Sequence, residues 1–136
     1  MALTNHERVG KGLTLLKEGL SPFVEREVDA AINANVLTPA RLKSFIDEPI
    51  IGNRPISEWD VSPLLKLMWD IWNDLFRRTL GFAERSLVSE IREFRNKWAH
   101  QEAFSSDDAY RALDSVGRML TAVSAPEAQV LERMKM

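Results

Sequence analysis

The sequence predicts an all-α fold, a single helical bundle with an irregular stretch at about residues 47–61. Three observations predict it. Apolar residues recur at helical spacing through most of the chain. Helix-start pairs such as Thr-Pro and Ser-Pro, and capping hydroxyls, recur between those stretches. Alternating apolar patterns and hairpin signals such as Asn-Gly are absent. A chain of 136 residues with 45% hydrophobic content suits one core rather than two.

From Asn5 to about Asn33 the apolar residues Val9, Leu13, Leu16 and Leu20, then Phe23, Val28 and Ile32, recur at helical spacing, with Asn5 as cap. Ser21-Pro22 interrupts this run and predicts two helices, or one kinked there. Thr38-Pro39 opens a short helix through Phe45 or Ile46. The stretch from Asp47 to Asp60 holds Pro49, Gly52, Asn53 and Pro55 and reads as the long connection. Ser62-Pro63 starts a helix predicted to run to about Leu80, where Gly81 stops it. Phe82 to His100 forms the next helix, and Ser105 or Ser106 begins another. After Ser124-Ala125-Pro126 a last helix begins, so residues 1–124 are expected to form the domain. Residues 125–136 are expected to lead into a linker or further domain.

Composition narrows the chemistry. Eighteen Lys and Arg against 20 Asp and Glu give no global attraction to nucleic acid or a membrane, so any basic site is local. Without cysteine there is no disulfide, thiol nucleophile or Cys-type zinc site. His6 and His100 are the only histidines, and no ligand cluster has metal spacing, so neither a metal nor another cofactor is expected. Asp70 and Asp74, four residues apart, are read as salt-bridge or capping residues. The first residues lack a basic region followed by an apolar one and no window approaches the length of an apolar bilayer span, so a soluble, cytoplasmic protein is expected.

The helix ending Arg95-Asn96-Lys97-Trp98-Ala99-His100 departs from plain scaffold. On a wheel of about 100° per residue with Arg95 at zero, Val88, Ala99, Ile91, Trp98, Leu87 and Phe94 fall between about +40° and −100°. An arginine inside an apolar arc needs a carboxylate, carbonyls or a phosphate to satisfy it. Asp70 or Asp74 could supply a structural partner. Asn96 and His100 lie on the neighbouring polar face with Arg92, about 140° from Arg95 in the case of His100. One pocket holds both Arg95 and His100 only if the helix bends there or a second subunit brings its own copy. Trp59, Trp69, Trp72 and Trp98 are possible base-stacking residues, although tryptophan amid leucines is more often core, and Trp59 is the least core-like.

These residues resemble the HEPN superfamily, whose motif is an arginine, a polar residue after it (often asparagine), and a histidine a few residues further on. Arg95, Asn96 and His100 match it, with four residues between arginine and histidine. The flanking segments Trp59-Asp60-Val61, Leu64-Leu65-Lys66-Leu67-Met68-Trp69, Ala83-Glu84-Arg85-Ser86-Leu87-Val88 and Asp107-Asp108-Ala109-Tyr110-Arg111 are similar to one branch of it. That branch is named for a eukaryotic nuclear mRNA quality-control endoribonuclease. It also occurs at the start of large prokaryotic proteins linked to phage defence.

The resemblance implies a bundle that forms a symmetric homodimer with two motif helices across a cleft. It further implies metal-independent RNA cleavage with RNA as partner, in a toxin or defence setting. His100 would then move protons, Arg95 would stabilise phosphate charge, and Asn96 would orient one or the other. Arg92, Lys97 and Arg85 would add phosphate contacts. The alternative from another class is a non-catalytic dimerisation or partner-binding module at the N-terminus of a larger protein. Nucleotide binding has little support because no Gly-rich phosphate loop is present.

Overall fold

The structure is a computed structural model that describes residues 3–46 and 54–135. Every regular element among the described residues is helical. The elements are α1 (Asn5–Asn33), α2 (Pro39–Ile46), α3 (Val61–Asp70), α4 (Phe82–Ala99), α5 (Ser106–Ala122) and α6 (Glu127–Lys135), with short 3₁₀ turns at Ile56–Glu58 and Phe76–Arg78. Pro49, Gly52 and Asn53, on which the expectation of an irregular connection partly rested, lie outside the described residues.

α1 is the axis of the bundle. Its cap is Thr4, whose hydroxyl accepts from the Glu7 amide at 3.1 Å, and the pair Thr4 and Glu7 has capping-box spacing. Asn5 is therefore the first helical residue rather than the cap, and its side-chain amide donates to the Phe104 carbonyl at 3.1 Å. One helix runs through Ser21-Pro22, so of the two readings offered there, two helices or a single helix kinked at the proline, the division into two is excluded. A proline inside a helix costs about 3 kcal/mol. Here Leu20, Phe23, Val24 and Val28 on either side are all buried in one core, which offsets that cost, and the Ser21 hydroxyl donates to the Ile56 carbonyl at 3.3 Å.

α5 packs between α1, α4 and α6. Its cap is Ser105, whose hydroxyl accepts from the Asp108 amide at 3.0 Å. Small residues set the distance between α1 and α5. A Cβ on Gly12 would stand 2.7 Å from Leu113 Cδ2, and one on Gly19 would stand 2.9 Å from Ala125 Cβ. α6 buries Leu131 and ties down through Lys135, whose ammonium bonds Asp114 and Glu132, each at 3.0 Å.

The helix expected from Ser62 to Leu80 starts one residue earlier, at Val61, and ends at Asp70. The rest of that stretch folds as turns and one 3₁₀ turn, yet Ile71, Trp72, Leu75, Phe76 and Leu80 are all buried. On a straight helix, residues 64 to 80 would spread their apolar side chains over about 220° of arc, twice the width of a stripe facing one core. Breaking the helix lets the chain wrap the same side chains inward. Trp59 is likewise core, 1% exposed, with its indole N–H donating to the Arg54 carbonyl at 2.7 Å, which corrects its reading as the least core-like tryptophan. Among the described residues, no helix is long and apolar enough to cross a membrane.

Candidate functional site

α4 is the least committed of the long helices, fully burying only Val88 and Ile91. Its packing against α3 and α5 fixes it along one side, and the rest of its surface is half-buried or open. The C-terminal end is closed by a Schellman arrangement: the Gln101 amide bonds the Trp98 carbonyl at 3.1 Å and the Glu102 amide bonds the Lys97 carbonyl at 3.1 Å. Gln101 takes a positive φ of 60° to do this, in the position where glycine is the usual choice. The helix therefore stops at His100, which is its C-cap.

Arg95 is half-buried, as its place in the apolar arc predicts, and lines a cleft of about 290 Å³ with Gly10, Leu13, Lys17, Asp60 and Trp98. Neither carboxylate suggested as its structural partner takes that role. Asp70 pairs with Lys66 at 2.8 Å and Asp74 pairs with Arg41. Asp60, on the cleft wall, sits 3.7 Å from Lys17. Among the described residues Arg95 has no hydrogen bond or ion pair. A half-buried guanidinium with no protein partner keeps its donors free for an anion.

Asn96 and His100 are exposed and lie outside the cleft that Arg95 lines. One chain thus places the motif's arginine on one flank of α4 and its asparagine and histidine on another. Arg92 is half-buried and, among the described residues, unpaired. Lys97 is engaged, 3.4 Å from Asp108 and 4.9 Å from the centroid of the Phe104 ring. Hydrogen bonds from Ser105 and then from Lys97 hold the Asp108 carboxyl below its ordinary value. Arg85 is far along the helix from this end, its guanidinium 4.4 Å from the centroid of the Trp69 ring.

The sequence did not point to His6. Its ring stacks on Trp98, centroids 5.2 Å apart and planes 12° from parallel, and its Nε2 lies 3.0 Å from the Trp98 carbonyl. A carbonyl only accepts, so Nε2 carries the proton and donates. Gly10, one turn on, lets the indole approach: a Cβ there would stand 2.9 Å from Trp98 Nε1. The start of α1 thereby clamps the end of α4. The signal available in sequence was only that a second histidine existed.

Among the described residues no group of three or more His, Cys, Asp or Glu side chains is placed to hold a metal ion. What the fold and α4 define is an all-helical domain presenting an Arg-Asn…His motif at one helix end, the arrangement of a HEPN domain. The chain matches the family described as Swt1-like HEPN over residues 11–124, and it belongs to that family. No curated protein and no solved structure matches it.

Proposed function

We propose that this domain binds RNA along the open face of α4 and cleaves it without a metal ion, as a homodimer in which two α4 helices face each other. The observation that carries the reading is the half-buried Arg95 guanidinium, without a partner among the described residues, on the same helix end as the exposed Asn96 and His100, in a member of a family commonly made of ribonucleases. In the reaction the RNA's 2′-oxygen attacks the adjacent phosphorus and the bond from phosphorus to the 5′-oxygen breaks. A cyclic phosphate and a free 5′-hydroxyl result. The 2′-hydroxyl proton goes to a base and the departing 5′-oxygen takes one from an acid, work suited to an imidazole near neutral pH.

His100 is assigned to proton transfer. Arg95 is assigned to the charge that builds on phosphate, where fixed donors and cations act most strongly. Asn96 orients the histidine or the phosphate, and Arg92, unpaired on the same face, contacts the backbone. Lys97 would add a phosphate contact by leaving Asp108, and Arg85 would contact the bound strand from its place on Trp69. A dimer accounts for the separation of Arg95 from His100 within one chain, because two motif helices pool their histidines and arginines in one cleft. The setting proposed is a cytoplasmic effector of a prokaryotic defence or toxin system.

Single-stranded RNA binding and cleavage by the wild type, Arg95→Ala and Asn96→Ala test this reading. It predicts loss of cleavage by about 10²-fold or more for Arg95→Ala and a dimer by equilibrium sedimentation. A folded wild type that neither binds nor cuts RNA, yet dimerises, would sink it in favour of an interaction module.

A further inference from the structure

The face of α4 that carries Asn96 and His100 continues to the helix's other end. On the wheel with Arg95 at zero, Arg92 falls at about +60°, Arg85 at about +80°, Ser89 at about +120°, Phe82 and His100 both at about +140°, and Glu93 at about +160°. Phe82 and His100 are thus in line, about 27 Å apart along the axis. Near Phe82 this face opens a groove of about 500 Å³ whose walls include Trp69, Phe82, Arg85, Glu93 and the pair Glu90 and Arg111.

We propose that this groove docks an unpaired RNA base bearing an exocyclic amino group, away from the scissile phosphate. The inference rests on the RNA reading of α4 and adds a substrate preference to it. Phe82 is 86% exposed, a bare ring at the groove's edge. Arg85 Nε is buried with no hydrogen-bond partner, so the guanidinium is held by the face of Trp69 at 4.4 Å rather than by polar contacts. Guanidinium planes and aromatic rings are the surfaces on which single-stranded bases stack.

A carboxylate supplies the acceptor that reads an amino group. Arg111 is neutralised by Glu90 at 2.7 Å, whereas Glu93, among the described residues, has no partner. The groove's spare carboxylate accepts from an amino group, as acidic side chains do from the amine of cytosine, and the Arg85 guanidinium on Trp69 leaves the groove without net charge to draw in a phosphate. The strand then runs from Phe82 past Ser89 and Arg92 to the motif.

The test is fluorescence anisotropy with the full chain carrying His100→Ala, to prevent cleavage, and labelled oligocytidylate and oligouridylate of about eight nucleotides. Cytosine has the amine and uracil a carbonyl in its place. The expected result is tighter binding of oligocytidylate, an affinity about tenfold lower for it in Phe82→Ala, and loss of the preference in Glu93→Gln, whose amide accepts from the cytosine amine or donates to the uracil carbonyl alike. Phe82 packs on little, so circular dichroism of Phe82→Ala should match the parent. Equal binding of both RNAs, or no effect of Phe82→Ala while RNA still binds, overturns the subsite and leaves the RNA reading standing. No binding of either RNA, with self-association lost in Phe82→Ala, overturns both and makes the groove a protein interface.

Discussion

His6 and Trp98 exchange hydrogen bonds across a stacked pair of rings: the indole N–H donates to the His6 carbonyl at 3.1 Å, and the imidazole Nε2 donates to the Trp98 carbonyl at 3.0 Å. The contact joins residues 92 apart in sequence and holds the helix end on which the motif sits. His6→Ala removes the stack and one hydrogen bond, each worth about 1 kcal/mol. Urea unfolding should show a loss of about 1–2 kcal/mol, and amide exchange should quicken at residues 99–102. Unchanged exchange there would mean that α4 ends as firmly without the clamp.

Arg95 gives the opposite expectation for stability. Because the guanidinium has no partner among the described residues, Arg95→Ala should alter unfolding free energy by no more than about 0.5 kcal/mol while abolishing RNA cleavage. Arg95→Lys should not restore activity, since an ammonium lacks the planar fork that meets phosphate oxygens. A loss of stability of about 3 kcal/mol or more in Arg95→Ala, typical of breaking a buried pair, would make this arginine structural.

Gly19 sets how closely α1 and α5 approach. A Cβ there meets Leu120 Cδ2 and stands 2.9 Å from Ala125 Cβ, so two side chains must give way in a packed interior. Alanine gains roughly 0.5–1 kcal/mol from helix propensity, and overpacking costs about 1–3 kcal/mol. Gly19→Ala should therefore lower the melting temperature, and a raised one would show that this interface is loosely packed.

The docking of α6 depends on pH through Asp114. Hydrogen bonds from Arg118 and then Lys135 hold its carboxyl below the usual carboxylate range. Burial pulls the Lys135 ammonium down, but the bonds to Asp114 and Glu132 outweigh it and leave the group raised. A lowered carboxyl contributes stability fully above the unfolded value and loses it as pH falls through the folded one. Acid titration of unfolding should thus show a loss below about pH 3.9 that Asp114→Asn removes, together with a loss of about 1 kcal/mol at neutral pH. An identical acid profile in the variant would remove Asp114 from the account.

The starts of α4 and α5 were legible to within a residue because their signals are local: Phe82 follows a glycine, although that glycine was read as the stop of the helix before, and Ser105 or Ser106 precedes two aspartates, with Ser105 the cap. The end of α3 was not, since the apolar spacing that marks a helix continues unchanged through turns that bury the same residues. Trp59 was misread because an irregular segment suggests exposure, while its indole finds a carbonyl five residues away and the segment folds over α1. Arg95's half-burial could be read from the wheel. The partners of the carboxylates were legible only in part: Asp70 takes Lys66 by ordinary i,i+4 pairing on α3, whereas Asp74 takes Arg41 across the tertiary fold, which no spacing encodes. His6 meets α4 only through the tertiary fold.

The most direct measurement is incubation of the purified wild type and His100→Ala with end-labelled single-stranded and structured RNAs in EDTA, with the product ends analysed. The account predicts cleavage by the wild type, cyclic phosphate on the upstream product, and no cleavage by a His100→Ala variant of unchanged fold. Cleavage that persists at full rate in His100→Ala, or that stops when EDTA is added, would contradict it.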